Sequence, residues 1–120
     1  MTLLVTQEDA LAYHKATGCS LAHASVVLGA MEPLLRERVL LAIQQPQNSR
    51  DLRDPLESAP ETVALIESAS AEATELARAS GRTGRGSCHF IWQEQARILS
   101  ERYNLVWFSP KAMNPDIVYD

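Results

Sequence analysis

Four residues in the first third of this chain, Thr6, Gly18, Ser20 and Pro33, leave room only for short helices between them. Thr6 with Asp9 three residues on has the pattern of a capping box, which predicts a helix from Gln7 to about Thr17. Gly18 is placed to end it, because only glycine enters the left-handed conformation without steric cost. Ser20 is the natural cap of a second helix, where Leu21, Ala24, Val27, Leu28 and Met31 share one face. Pro33 suits the first turn of a third, with Leu35, Val39, Ala42 and Ile43 as its buried stripe. Residues 6–45 are thus expected to be three short helices joined by tight turns.

Beyond them the signals change. Gln44, Gln45, Pro46, Gln47, Asn48 and Ser49 lead into a charged, proline-containing run that ends near Pro60, so 46–60 reads as a linker. The longest helix is expected from Glu61 to about Ala79, with Leu65, Ile66, Ala69, Ala73, Leu76 and Ala77 as a narrow apolar stripe. Acidic residues near its start and Arg78 at its end suit the helix dipole. Gly81 stops it, and Ser87 is expected to cap the next helix, in which Ile91, Trp92, Ala96, Leu99 and Tyr103 recur at helical spacing. After Tyr103 the runs Leu105-Val106-Trp107-Phe108 and Ile117-Val118-Tyr119 have strand-like composition, broken at Ser109-Pro110 and Asn114-Pro115. They form either a packed, irregular tail or a small hairpin. The expected fold class is mainly α: a three-helix module (1–45), a linker (46–60), and a helical hairpin closed by an extended tail, possibly a short β element (61–120). The two parts are expected either to be one domain or to be small modules that share a core.

A length of 120 residues suits one domain or two very small modules, and 46% hydrophobic with 22% charged residues is ordinary globular composition. The formal net charge of −4 argues against general nucleic-acid binding, which needs a basic surface to neutralise phosphates. The charge is uneven, however. Asp51, Asp54, Glu57, Glu61, Glu67, Glu72 and Glu75 make the middle acidic, while Arg78, Arg82, Arg85, Arg97 and Arg102 make the next stretch basic. Cys19 and Cys88 are too few for a secreted disulfide framework. No stretch approaches the ~20 apolar residues of a membrane span, and Met1 to Val5 lack the regions of a signal peptide. A cytoplasmic protein with free thiols, monomer or homodimer, with no membrane association, is expected.

The run Thr17-Gly18-Cys19-Ser20-Leu21, followed by Ala24 and Leu28, resembles the first turn and second helix of the UBA-like three-helix fold over about 40 residues. Such modules bind partner proteins through a small apolar surface, so the resemblance implies an interaction role. The first loop departs from the family: Gly18-Cys19 stands where a Met-Gly-Phe/Tyr contact motif is usual, so a ubiquitin-type contact is not expected.

The densest chemistry lies late in the chain. Gly81 to Ser87 has the Gly-x4-Gly spacing of a phosphate loop, but lacks its lysine and comes after a helix instead of a strand, so a nucleotide loop is not expected. The free N–H groups of a helix start still favour an anion, and Arg82, Arg85 and Ser87 are the candidate binding residues. Cys19, His23, Cys88 and His89 supply the ligand count of a structural zinc. Cys19 falls before the helix that carries His23, though, and adjacent Cys88 and His89 bind one metal poorly, so no metal or cofactor is expected. Cys88 beside Arg85 at a helix start has the setting of an activated thiol, with His89 beside it, but no base and orienting group are evident. Trp92, Trp107 and Phe108 either pack the tail onto the last helix or serve as anchors for a partner. The leading expectation is a non-enzymatic protein–protein interaction module, an adaptor or an inhibitor of a larger partner. The alternative is a small enzyme or ligand-binding protein with an anion site at Gly81 to His89.

Overall fold

Side-chain caps start several of the helices in this computed structural model, which describes residues 5–45 and 51–120. Among the described residues there are six α-helices and no strand: α1 (Gln7–Thr17), α2 (Leu21–Ala30), α3 (Pro33–Gln44), α4 (Val63–Ala79), α5 (Ser87–Tyr103) and α6 (Pro110–Met113). The protein is mainly helical. It divides into two compact units, Met1–Arg53 and Asp54–Asp120.

In the first unit the Thr6 hydroxyl accepts from the Asp9 amide at 3.1 Å, and the Ser20 hydroxyl accepts from the His23 amide at 3.1 Å. Each satisfies an amide that a helix start leaves without a partner. Gly18 closes α1 at φ 80°, its amide donating to the His14 carbonyl. Helix α1 packs on both α2 and α3. Ala10, Tyr13, Ala24, Leu28, Val39 and Ala42 are buried, whereas Leu21 is 41% exposed and Leu35 and Ile43 are half-buried. The inward face of α3 instead includes Arg36, whose Nε donates to the Leu28 carbonyl at 2.9 Å. That carbonyl lies in the last turn of α2, where it also accepts from the Met31 amide at 3.2 Å, and its second lone pair takes the guanidinium.

The second unit begins inside the expected linker. The Asp54 side chain caps a 3₁₀ turn at Pro55–Glu57, accepting from the Leu56 amide, and Thr62 donates to the Leu56 carbonyl at 2.7 Å. Residues 54–60 therefore fold as part of the unit that contains α4. The expected linker residues 46–50 lie outside the described residues. Helices α4 and α5 form a hairpin. Their core joins Ile66, Ala69 and Ala73 to Ile98, Leu99 and Trp107. Small side chains on α4 let α5 approach closely, while Leu76, expected in the stripe, is 39% exposed.

The inward face of α5 is wider than the expected one. Leu99 is core and Ile91, Trp92 and Ala96 pack against it, as expected, but the face extends to Gln95 and Ile98 and stops short of Tyr103. Gln95, Ile98 and Leu99 are buried, and Tyr103 is 37% exposed. Gln95 is accommodated because its Nε2 donates to the Ile66 carbonyl at 3.2 Å. The tail also differs from the strand-like expectation. Ser109 and Pro110, read from sequence as a break, start a helix: the Ser109 hydroxyl accepts from the Ala112 amide and Pro110 occupies the first turn. Met113 at the end of α6 is fully buried.

Candidate functional site

The Arg/Gly loop is built by left-handed glycines. Ser80 closes α4, and Gly81 comes next at φ 76°. The Gly81 amide donates to the Arg78 carbonyl at 3.2 Å and the Arg82 amide to the Ala77 carbonyl at 2.8 Å. These two bonds make a Schellman stop, which requires φ > 0 at Gly81. Gly86 at φ 83° turns the chain into α5 and is its N-cap. Ser87, expected as the cap, is instead the first helical residue and makes no side-chain capping bond. The left-handed turn at Gly86 advances the helix start by one residue, which removes the hydroxyl from the capping position.

The loop is exposed throughout Gly81 to Gly86. The Arg82 guanidinium lies over the Phe90 ring, 4.5 Å from its centroid. With Thr83, Arg85, Gly86 and Ser87 they line a shallow pocket of about 230 Å³. Among the described residues no carboxylate pairs with Arg82. Stacking on the ring holds the guanidinium in place and leaves its N–H edge for a ligand. Arg85 behaves differently, donating to the Asp120 carboxylate at 3.2 Å, with 84% and 60% of the two side chains exposed.

That ion pair belongs to a docked tail. His89 Nε2 donates to the Tyr119 carbonyl at 2.8 Å. The Tyr119 ring meets Trp92 edge-on, with centroids 5.1 Å apart and planes at 87°, and Trp92 meets His89 in the same manner at 5.8 Å. Nearer α6, Lys111 Nζ donates to the carbonyls of Pro115 and Ile117 at 2.9 and 2.8 Å. Beside these contacts lies an open groove of about 300 Å³, lined chiefly by His89, Trp92, Gln93, Ala96, Phe108 and Lys111.

The aromatic candidates separate. Trp107 is 5% exposed and its indole N–H donates to Glu57 Oε2 at 3.1 Å, so it is a core residue and not a surface anchor. Trp107 and Phe108 both border the groove, Trp107 almost wholly buried beneath it, and Phe108 and Trp92 remain as the half-buried aromatic candidates.

The reactive candidates are dispersed. Cys88 is half-buried in the first turn of α5, and His89 Nε2 is committed to the Tyr119 carbonyl. Cys19 accepts from the Thr17 hydroxyl at 3.2 Å, while its carbonyl accepts from His14 Nδ1. His23 lies in the first turn of α2. Among the described residues no three His, Cys, Asp or Glu side chains gather where they could hold a metal ion; Cys19 and His23 belong to the first unit, and Cys88 and His89 to the second. Glu94 and Glu101 both bond to Arg97, at 2.7 and 3.1 Å, which makes them surface charge.

Sequence reasoning missed Phe90 as the platform under Arg82 and Lys111 as the clamp on the tail. The signal for Phe90 was its place in the His89-to-Trp92 aromatic run; nothing local pointed to Lys111. Compared with protein-family models, with curated proteins and with solved structures, the chain matches none. Among the described residues no helix is long and apolar enough to cross a membrane.

Proposed function

We propose that this chain is a non-enzymatic, cytosolic protein–protein interaction module, an adaptor or an inhibitor of a larger partner. The observation that carries the reading is a continuous arrangement along the first turns of α5. The stacked Arg82 and the pocket at Ser87 and Phe90 are succeeded by His89, Trp92 and the groove that Phe108 lines. Cations beside partly exposed aromatic rings are the composition that interface hot spots favour. Arg82 and Arg85 meet acidic groups or phosphate on the partner, with Ser87 beside them. Trp92 and Phe108 supply the apolar anchor, a role for which the buried Trp107 is unsuited. In this reading the α1–α3 unit, with its Gly18-Cys19-Ser20 turn, is a UBA-like module that adds a second protein contact.

The test is site-specific photo-crosslinking in the full chain. A crosslinker at Phe90 should give a discrete adduct in cell extract that the Arg82→Ala/Arg85→Ala variant loses, while one at Glu67 on α4 should not. Equal labelling from both positions would refute the assignment of the surface.

A second reading, a ligand-binding protein that takes a small anion at the loop, is favoured by the stacked Arg82 without a carboxylate partner among the described residues. Native mass spectrometry separates the two: a retained anion that Arg82→Ala removes supports the second.

A further inference from the structure

The interaction surface already holds a peptide, and that peptide is part of the same chain. Two consecutive residues, Tyr119 and Asp120, make three contacts of different kinds on the Arg/Gly loop and the start of α5. The Tyr119 ring meets Trp92 edge-on at 5.1 Å, its carbonyl accepts from His89 Nε2 at 2.8 Å, and the Asp120 carboxylate accepts from Arg85 at 3.2 Å. A ring, a main-chain carbonyl and an acid in register are what an extended peptide offers to a recognition surface.

We infer that Tyr119-Asp120 is an internal stand-in for the partner, which is a protein presenting an extended segment with an aromatic residue and then, directly after it, an acidic one. The inference rests on the interaction reading above and names the chemistry of its partner. Charge complementarity carries the acid: Arg82 and Arg85 border the surface, and of these two only Arg85 is answered by a carboxylate among the described residues. The Trp92 edge contact carries the aromatic residue.

The contacts at the tip of the tail are ones a competitor can displace. The ion pair is mostly solvated, at 84% and 60% exposure, and the preceding Val118 is 82% exposed. Exposed pairs of this kind hold weakly. The root of the tail is held separately by Lys111 on the Pro115 and Ile117 carbonyls, so release of the tip leaves the rest docked. His89, Trp92 and Lys111 also line the neighbouring groove, so a segment that replaces the tip can extend towards Phe108. While the tail is docked it competes at the high effective concentration of a tethered ligand.

The probe is a fluorescein-labelled peptide with the sequence of residues 114–120, titrated by fluorescence anisotropy into the full chain. Wild type should bind it weakly, because only the fraction with a displaced tip is competent. The Tyr119→Ala/Asp120→Ala variant should bind it about tenfold more tightly, matching an undisplaced fraction of roughly nine-tenths in wild type. The milder Asp120→Asn should give an intermediate gain, which guards against a folding defect in the double variant. Adding Arg85→Ala to the double variant should abolish the gain. Equal binding to wild type and the double variant, or binding to neither, overturns the inference. A wild-type dimer in analytical ultracentrifugation that becomes monomeric in the double variant also overturns it, because the occupant would then be the tail of a second copy. Specific cross-links at Phe90 with no peptide binding would sink this inference alone and leave the interaction reading standing.

Discussion

The Phe108 amide donates to the Asp54 carboxylate at 2.9 Å, joining positions 54 residues apart. The other Asp54 oxygen accepts from the Leu56 amide at 3.0 Å, and the residue is 1% exposed. One carboxylate thus ties the segment before α4 to the segment after α5.

Removing it leaves two amides without that acceptor. Asp54→Ala is expected to destabilise the second unit by about 3 kcal/mol, and Asp54→Asn, which retains one acceptor oxygen, by about half as much. Urea unfolding monitored by tryptophan fluorescence checks this directly, because Trp92 and Trp107 both lie in this unit.

Neighbouring aromatics should separate stability from binding. Trp107→Ala opens the core at Ile66, Ile98 and Leu99 and is expected to cost about 3–5 kcal/mol in the same unfolding experiment. Phe108→Ala removes a half-buried ring from the groove and should cost about 1 kcal/mol. Only Phe108→Ala should lose the photo-adduct while the protein remains folded.

Acid should weaken the tie between α4 and α5. Arg102 holds Glu72 through two bonds of 2.8 and 3.1 Å. The Glu72 carboxyl lies below its usual range, first because of the Arg102 hydrogen bond, with the charges of Arg102 and Arg97 adding. A carboxylate lowered in the folded state stabilises it above the unfolded value of about 4.3, and that contribution disappears as pH falls through the lower folded value. Arg102→Ala should therefore lower Tm at pH 7, with the gap from wild type closing as pH falls below the usual carboxylate range and through the lower folded value of Glu72. The gap is small, since the side chains are 52% and 42% exposed.

Thr6→Ala and Ser20→Ala should each cost the first unit about 1 kcal/mol by removing a helix cap. Amide hydrogen exchange read by NMR locates the loss: the Asp9 amide should lose protection in the first variant and the His23 amide in the second.

Helix starts and stops were readable wherever one residue type has one local solution. Thr6, Gly18, Ser20 and Gly81 act where the sequence places them, through bonds spanning at most five residues, and Pro33 acts through its fixed φ in the first turn of α3. Reading failed where two local solutions compete. Gly86 displaced Ser87 as the cap of α5, and Ser109-Pro110 made a helix start where strand composition suggested a break.

The mainly helical class and the position of the Arg/Gly loop were thus determined by the sequence alone, because capping and periodicity act over a few residues. The tertiary structure decided which groups face inward and which meet. Gln95 is buried because the Ile66 carbonyl of the facing helix accepts from it, and Arg36 because the carbonyl of Leu28, in the preceding helix, does the same. Trp107 is core and Phe108 half-buried at the groove they both border, in a stretch that Glu57 and Asp54 hold from about 50 residues away. The surface at the start of α5 likewise depends on Tyr119 and Asp120 reaching Trp92 and Arg85 across the fold. No periodicity encodes such pairings, since they are selected by packing among segments far apart in the chain.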